Sequence, residues 1–280
     1  MFLNNPDDYQ YWRDEKLANA PTKLDNCIVD IQNPLALTTA EKDQIQRLCQ
    51  RSNFALIQTP TQTDYSHSTI QLNQQLGLNA PDHHLFVNND TLAHITPTNN
   101  QQQGEFIPYT TKPIGWHTDG YYNSLEQRIR SFSLFCVNPA SNGGENHWID
   151  NDMLYILLRQ QNPEAADLLT RTDAMTIPAH SENSKILRPK SVGAIFMSDH
   201  NQLYLRYTQR KKYVQFADEV IAAVALLDDI LAKGSAYHFQ HLMAKNQGII
   251  CNNVIHKRSG FVDDKDNPRL LLRGRYFVRV

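Results

Sequence analysis

Trp116-His117-Thr118-Asp119-Gly120-Tyr121-Tyr122 is the stretch on which the reading of this chain turns. In extended backbone a histidine and a carboxylate separated by one residue project to the same side, so both can reach one ion from a single strand end. A second histidine from a remote stretch, His256 in Asn252-Asn253-Val254-Ile255-His256-Lys257-Arg258-Ser259-Gly260, would complete the set. Two imidazoles and one carboxylate suit Fe(II) and leave the opposite face of the ion open to a cosubstrate and oxygen. With two neutral ligands and one anion, such a site keeps positive charge for an anionic cosubstrate.

A His-x-acid triplet alone is weak evidence. With 11 histidines and 29 acids in 280 residues, about one should arise by chance, and the chain has a second, His180-Ser181-Glu182. Context separates them. His117 follows Ile114-Gly115-Trp116 and precedes Gly120-Tyr121-Tyr122, whereas His180 sits in the polar run Pro178-Ala179-His180-Ser181-Glu182-Asn183-Ser184, which reads as a loop. The C-terminal run Arg269-Leu270-Leu271-Leu272-Arg273 puts Arg269, Leu271 and Arg273 on one face of a strand. A guanidinium inside a leucine-rich strand is expensive unless it meets an anion, best a carboxylate taken bidentately. A bound ligand and a structural Asp or Glu are the competing partners.

Working outward, strands dominate from Leu92 onward: Leu92 to Ile95, Ser131 to Val137, Ala174 to Ile177, Val192 to Met197, Gln202 to Tyr207, Gly248 to Cys251 and Leu270 to Val280. Before them, Thr38-x-x-Glu41 is a capping box opening a helix to about Cys49, Phe54 to Ile57 is a buried strand, and Ser68 to Leu76 is helical. Two helical inserts are expected: Met153 to Gln160, continuing past Pro163 towards Leu169, and Ala217 to Lys233, ended by Gly234. Asn99-Asn100-Gln101-Gln102-Gln103-Gly104 reads as a surface connection or lid. The expected fold is mainly β with flanking helices (α+β), a β-sandwich or jelly roll, as one domain over residues 1–280.

Composition excludes several classes. A net charge of -2 offers no field for nucleic acid or anionic membrane. The start of the chain has no basic, apolar signal pattern, and no apolar run is long enough to span a bilayer. Cys27, Cys49, Cys136 and Cys251 form no CxxC pair, so reduced thiols in a cytoplasmic protein are expected. Lys211-Lys212 beside Arg206 and Arg210 is the densest basic cluster and reads as a solvated strand end. Oligomeric state is left open, homo-oligomer included.

The ordered series WHTD, Gly143-Gly144-Glu145-Asn146-His147-Trp148, NNVIHKRSGF and RLLLR resembles the taurine dioxygenase (TauD/TfdA-like) family of Fe(II)- and 2-oxoglutarate-dependent dioxygenases, over roughly Gly115 to the C-terminus. The resemblance implies a double-stranded β-helix, the cupin-like jelly roll, with Fe(II), 2-oxoglutarate and O2 as cofactor and cosubstrates. It implies that His117, Asp119 and His256 bind iron and form the catalytic centre. Arg269 matches the clamp on the distal carboxylate of 2-oxoglutarate, and Arg273 matches the arginine at the edge of the cosubstrate and substrate pocket. Where the family usually carries a cosubstrate-holding threonine this chain has Asn146, whose amide can still donate to a carboxylate. Trp148 matches an aromatic packed below the site.

Hydroxylation of a C–H bond in a small polar metabolite, with release of succinate and CO2, is the implied activity; desaturation, epoxidation and cyclisation share the same ligands. Retention of Asp119 argues against halogenation. Trp116, Tyr121 and Tyr122 either line the substrate pocket or are core aromatics, and Arg206 could supply an anion contact with Arg273. The rival classes are a zinc-type metallohydrolase or lyase on the same His/Asp/His set and a non-catalytic metabolite-binding protein on the same fold.

Overall fold

Alternation along the strands sorts the side chains into separate cores. Phe54 and Leu56 face one core and Ala55 and Ile57 another; Leu271 and Leu272 divide in the same way, as do Ile249 and Ile250. This is the period-2 pattern of strands covered on both faces. The structure, a computed structural model, describes residues 5–83, 90–98, 100, 106–182, 185–199 and 201–280.

Two sheets face one another. The larger has six strands in the order Ile28–Asp30, Phe54–Gln58, Gln247–Cys251, Ser131–Asn138, Leu270–Tyr276 and Ala93–Ile95. The smaller has four, in the order His238–His241, Asn146–Ile149, Ile255–Arg258 and Ile114–His117. Pairing is antiparallel within both except between Ile28–Asp30 and Phe54–Gln58, joined in parallel through the helix Thr39–Ser52. Phe54, Phe132, Trp148, Phe239, Ile249 and Leu271 fill the space between the sheets. Helices Thr39–Ser52 and Tyr65–Gln75 cover the outside of the larger sheet. Asn151–Gln161, Pro163–Leu168 and Ile221–Lys233 cover the smaller one, over Trp116, Ile149 and Ile255. This is the expected jelly roll with flanking helices.

The capping box at Thr38 is formed: its Oγ1 accepts from Glu41 N at 3.2 Å, and the Glu41 carboxylate accepts from Thr38 N at 2.7 Å. Other expectations need correction. The stretch from Met153 towards Leu169 is two helices, because Asn162 leaves helical backbone to cap the second and Pro163 cannot continue the first. The Val192 to Met197 strand is also two, Ser191–Gly193 and Phe196–Asp199. The carbonyl of Leu169 takes the amides of both Ile195 and Phe196, which removes them from any ladder. His180–Glu182 is a strand paired antiparallel with Lys185–Arg188 rather than a loop. The strand from Leu270 stops at Tyr276, and Gln202–Leu205 stops two residues short of Tyr207. The helix Pro6–Asn19, capped by Asn5, was not expected. The Asn99 to Gly104 stretch lies, apart from Asn100, outside the described residues.

Candidate metal centre

The smaller sheet brings the two histidines together by register. Ile255–Arg258 runs antiparallel to Ile114–His117 with His256 directly opposite His117, and their rings lie 4.3 Å apart. The next partner of His256 across the sheet is Trp148, so the three side chains share one face, the face turned towards the larger sheet. Asp119 follows where the strand has ended. The backbone turns there at Gly120, whose φ is +65° and whose missing Cβ would sit 2.4 Å from Ile129 Cγ1.

Asn253, at φ 51° in the connection between the strands Gln247–Cys251 and Ile255–Arg258, locks this turn: its Oδ1 accepts from Asp119 N at 2.9 Å, and its Nδ2 donates to Asp119 O at 3.0 Å and Ile129 O at 2.8 Å. Asn253 stands in the NNVIHKRSGF run, but the sequence assigned it no role. Its only signal is an Asn-Asn pair before the second histidine.

The candidate ligand atoms of His117, Asp119 and His256 all lie within 4.8 Å of one another, the only such group found among the described residues. Their protonation is set for a metal. His117 Nδ1 lies 2.9 Å from Gly115 O and His256 Nδ1 lies 2.9 Å from Val254 O, so each imidazole carries its proton on Nδ1 and keeps the Nε2 lone pair. Burial first, then the neighbouring His256 imidazole, pushes His117 down to about 3. Burial likewise lowers His256. Burial alone would raise Asp119, but Arg273, Arg275 and the two imidazoles outweigh it and hold the carboxyl well below its usual range. Asp119 Oδ1 lies 3.2 Å from Arg273 Nη1, while Oδ2 is buried without a partner. A buried carboxylate oxygen with nothing to accept, beside two inward Nε2 lone pairs, fits a divalent cation.

A second cluster lies towards the Ile114 end of the same sheet. Arg258 pairs across it with Asn146, which is buried. Arg258 and Arg269 pack on the ring of Phe261 at 4.8 and 4.9 Å, and Arg269 Nε would lie 3.5 Å from a Cβ on Gly144. Arg258 donates to the carbonyls of Pro108, Thr110 and Lys112. Arg269 is only 4% exposed and has no carboxylate partner among the described residues. Burial lowers Arg269 to about 10, and burial together with Arg269 lowers Arg258 to about 9. Asp263 acts on Arg269 from a distance and takes its backbone amide, but neither guanidinium has a carboxylate in ion-pair contact among the described residues, so this cluster fits the free carboxylate of a dicarboxylic cosubstrate.

The expected substrate residues separate. Trp116 is corrected out of the pocket: it points to the opposite face of its strand from His117, buried beneath the helices against Lys257 and His238. Arg206 is also corrected. It is buried and donates to the carbonyls of Tyr121, Met175 and Ser191 and to Ser191 Oγ, so its N–H groups brace the loop after Asp119 and are not free for a substrate anion. Tyr121 is buried next to Tyr122, and Tyr122 Oη accepts from Arg275 at 2.9 Å. Trp148 lies between the sheets against Phe54 and Phe239.

The model of the taurine catabolism dioxygenase TauD, TfdA family matches residues 14–275. A uridine-5'-phosphate dioxygenase from Streptomyces sp is 27% identical over 244 residues, covering 82% of this chain and 88% of that protein. Among solved structures, asparagine oxygenase in complex with Fe(II), 3-hydroxyasparagine and succinate aligns with TM-score 0.64 at 13% identity over 98% of this chain and 85% of its own. The non-heme iron oxygenase OrfP in complex with Fe and α-ketoglutaric acid aligns with TM-score 0.61 at 14% identity over 97% and 92%. The protein belongs to the TauD, TfdA family. Its class is that of the Fe(II)- and 2-oxoglutarate-dependent dioxygenases.

Proposed function

We propose that the protein hydroxylates a C–H bond of a small anionic metabolite, with uridine 5'-phosphate as the first candidate, and releases succinate and CO2. The observation that carries this reading over zinc hydrolysis is Arg269, a buried guanidinium in ion-pair contact with no carboxylate among the described residues, in a fold that also brings His117, Asp119 and His256 together. A hydrolase has no use for it; a dicarboxylate cosubstrate does. The name of the Streptomyces relative supports the choice of first substrate.

In this reading His117, Asp119 and His256 hold Fe(II), which when loaded supplies oxidation of the substrate carbon at the expense of 2-oxoglutarate and O2. Arg269 and Asn146 hold the distal carboxylate, and Arg273 keeps Asp119 turned to the metal. Gly115 O and Val254 O fix the two imidazoles in their ligating tautomer. The packed aromatics Phe132, Trp148 and Phe239 keep water from the inner end of the site.

We take residues 1–280 as one dioxygenase domain, since strands from Ile28 to Gln58 share a sheet with strands from Gln247 to Tyr276. Among the described residues no helix is long and apolar enough to cross a membrane, and the four cysteines are free and buried, which supports a reducing, cytoplasmic setting.

Anaerobic addition of Fe(II) and 2-oxoglutarate should give a weak visible charge-transfer band, absent in His117→Ala and His256→Ala. Admission of air with uridine 5'-phosphate should then release succinate. A colourless wild-type mixture points instead to a zinc hydrolase or a binding protein, and normal turnover in either histidine variant removes that residue from the metal.

A further inference from the structure

Asp119 is the one member of the triad that sheet register does not place. His117 and His256 stand opposite each other in the ladder, whereas Asp119 follows after the strand Ile114–His117 has ended. Thr118, one residue earlier, is still gripped: its amide donates to Tyr207 O at 3.0 Å, and its Oγ1 accepts from Tyr207 N at 3.2 Å. Beyond it the main chain of Asp119 is held by the carboxamide of Asn253, which accepts from its N–H and donates to its C=O. The same Nδ2 donates to Ile129 O, so one side chain closes the loop from Asp119 to Ile129 at its base. The turn borders a cleft of about 410 Å³ that includes open solvent and is lined by Thr118, Asp119, Gly120, Arg128, Asn151 and Asn253. Packing on that side leaves the turn room to shift, and hydrogen bonds set its position.

Asn253 is fixed in its turn. Asn151, the first residue of the helix Asn151–Gln161, donates from Nδ2 to Asn253 O at 3.1 Å and accepts at Oδ1 from Ile255 N at 2.9 Å. Ile255 precedes His256, and Val254 O orients the His256 ring. The two buried asparagines therefore bracket the connection that leads to His256 together with the turn that carries Asp119.

The residue type at 253 answers two independent demands. Its φ of 51° lies in the left-handed region, which asparagine tolerates better than most residues with a side chain. The position also needs one acceptor and two N–H donors from a short side chain. A carboxamide offers both, whereas a carboxylate has no N–H and glutamine is one methylene longer.

We propose that Asn253 is a positioning residue for the metal centre: by holding the main chain of Asp119 it places the carboxylate against the two imidazoles and sets the affinity for the divalent cation. The inference rests on the reading of His117, Asp119 and His256 as a cation site, as in the proposed function, and needs neither cosubstrate nor substrate. Partners that orient a ligand from behind govern metal affinity by about 10- to 100-fold.

The metal-free full chain is titrated anaerobically with Co(II) alone, followed by its visible absorption, in buffer where circular dichroism shows each variant folded. Asn253→Gly keeps the left-handed backbone accessible and deletes the carboxamide, and should weaken Co(II) binding about 10- to 100-fold. Asn253→Asp keeps the shape and carries the test if the glycine variant does not fold. It should also bind Co(II) more weakly than wild type despite its added negative charge, because it has no N–H for Asp119 O and Ile129 O. In Asp119→Ala, where the ligand itself is gone, adding Asn253→Gly should cost no further affinity. Co(II) affinity within about twofold of wild type in the Asn253 variants overturns the proposal. So does a loss in the Asp119→Ala background as large as that in wild type. A wild type that takes up no Co(II) overturns the metal centre and the proposal together. Co(II) binding that depends on Asn253, in a protein giving no charge-transfer band with Fe(II) and 2-oxoglutarate, overturns the dioxygenase reading and leaves the positioning role standing.

Discussion

Asp119 and Arg269 show how single side chains at this centre are set by what they lack. Among the described residues, Asp119 has one oxygen on Arg273 and one with nothing to accept, and Arg269 is buried with no carboxylate in ion-pair contact. Each is unfavourable until a ligand arrives, so binding relieves a penalty already present in the fold. Arg269→Ala should raise the KM for 2-oxoglutarate about 10- to 100-fold, the worth of a charge-assisted carboxylate contact. Because the variant removes an unpaired buried cation, its thermal midpoint should match or exceed that of wild type. An unchanged KM, or a large loss of stability, would show Arg269 to be structural. At this scale the His117-x-Asp119 pair and Arg269 were legible, since their chemistry is written in residue type and spacing. Asn253 was not, because its role consists of three hydrogen bonds to backbone atoms more than a hundred residues away.

Elements decide where these groups meet. The segment Asn142–Gly143 pairs with Phe261–Val262, and Gly143 adopts φ +77° with its absent Cβ 2.5 Å from Gly260 O. No side chain is tolerated there without backbone movement. Gly143→Ala should destabilise the protein by about 1–3 kcal/mol. It should also raise the KM for 2-oxoglutarate, since Gly144, Asn146 and Phe261 carry the surroundings of Arg269. Denaturant unfolding and cosubstrate kinetics on one preparation read both effects, and a variant unaltered in either contradicts the account. The Gly-Gly pair was visible in the sequence. The division of the helix was also written locally, in Asn162-Pro163. The division of the strand at Ala194 was not, because an apolar run looks the same whether or not a distant carbonyl takes its amides.

Across the whole molecule, a buried polar network ties remote parts of the chain together. Asp150 accepts from Asn53 Nδ2 at 2.6 Å, Lys16 Nζ lies 2.5 Å from Asp152, and Arg279 donates to Asn53 Oδ1 at 2.6 Å. Burial first, then the adjacent Asp152, pushes Asp150 up from 3.8 to about 6, against the pull of Lys16. A carboxyl whose folded value is raised stabilises the fold fully below its unfolded value, and that contribution is lost as pH rises through the folded one. Between about pH 4 and 6 wild type should therefore lose stability that Asp150→Asn, which cannot ionise, retains. Urea unfolding of both proteins at pH 4 and pH 7 measures this, and a difference between them that does not change with pH removes the assignment.

The amino-acid sequence by itself determined the strand alternation and the helix cap at Thr38, and it singled out the candidate metal-binding set, because local propensity and ligand chemistry act over a few residues. Only the tertiary structure decided that His256 stands opposite His117, that Trp116 turns away and that Arg206 is committed to carbonyls. Those outcomes depend on sheet register and on which buried donor finds which acceptor across the chain, and neither is encoded in any short window of residues.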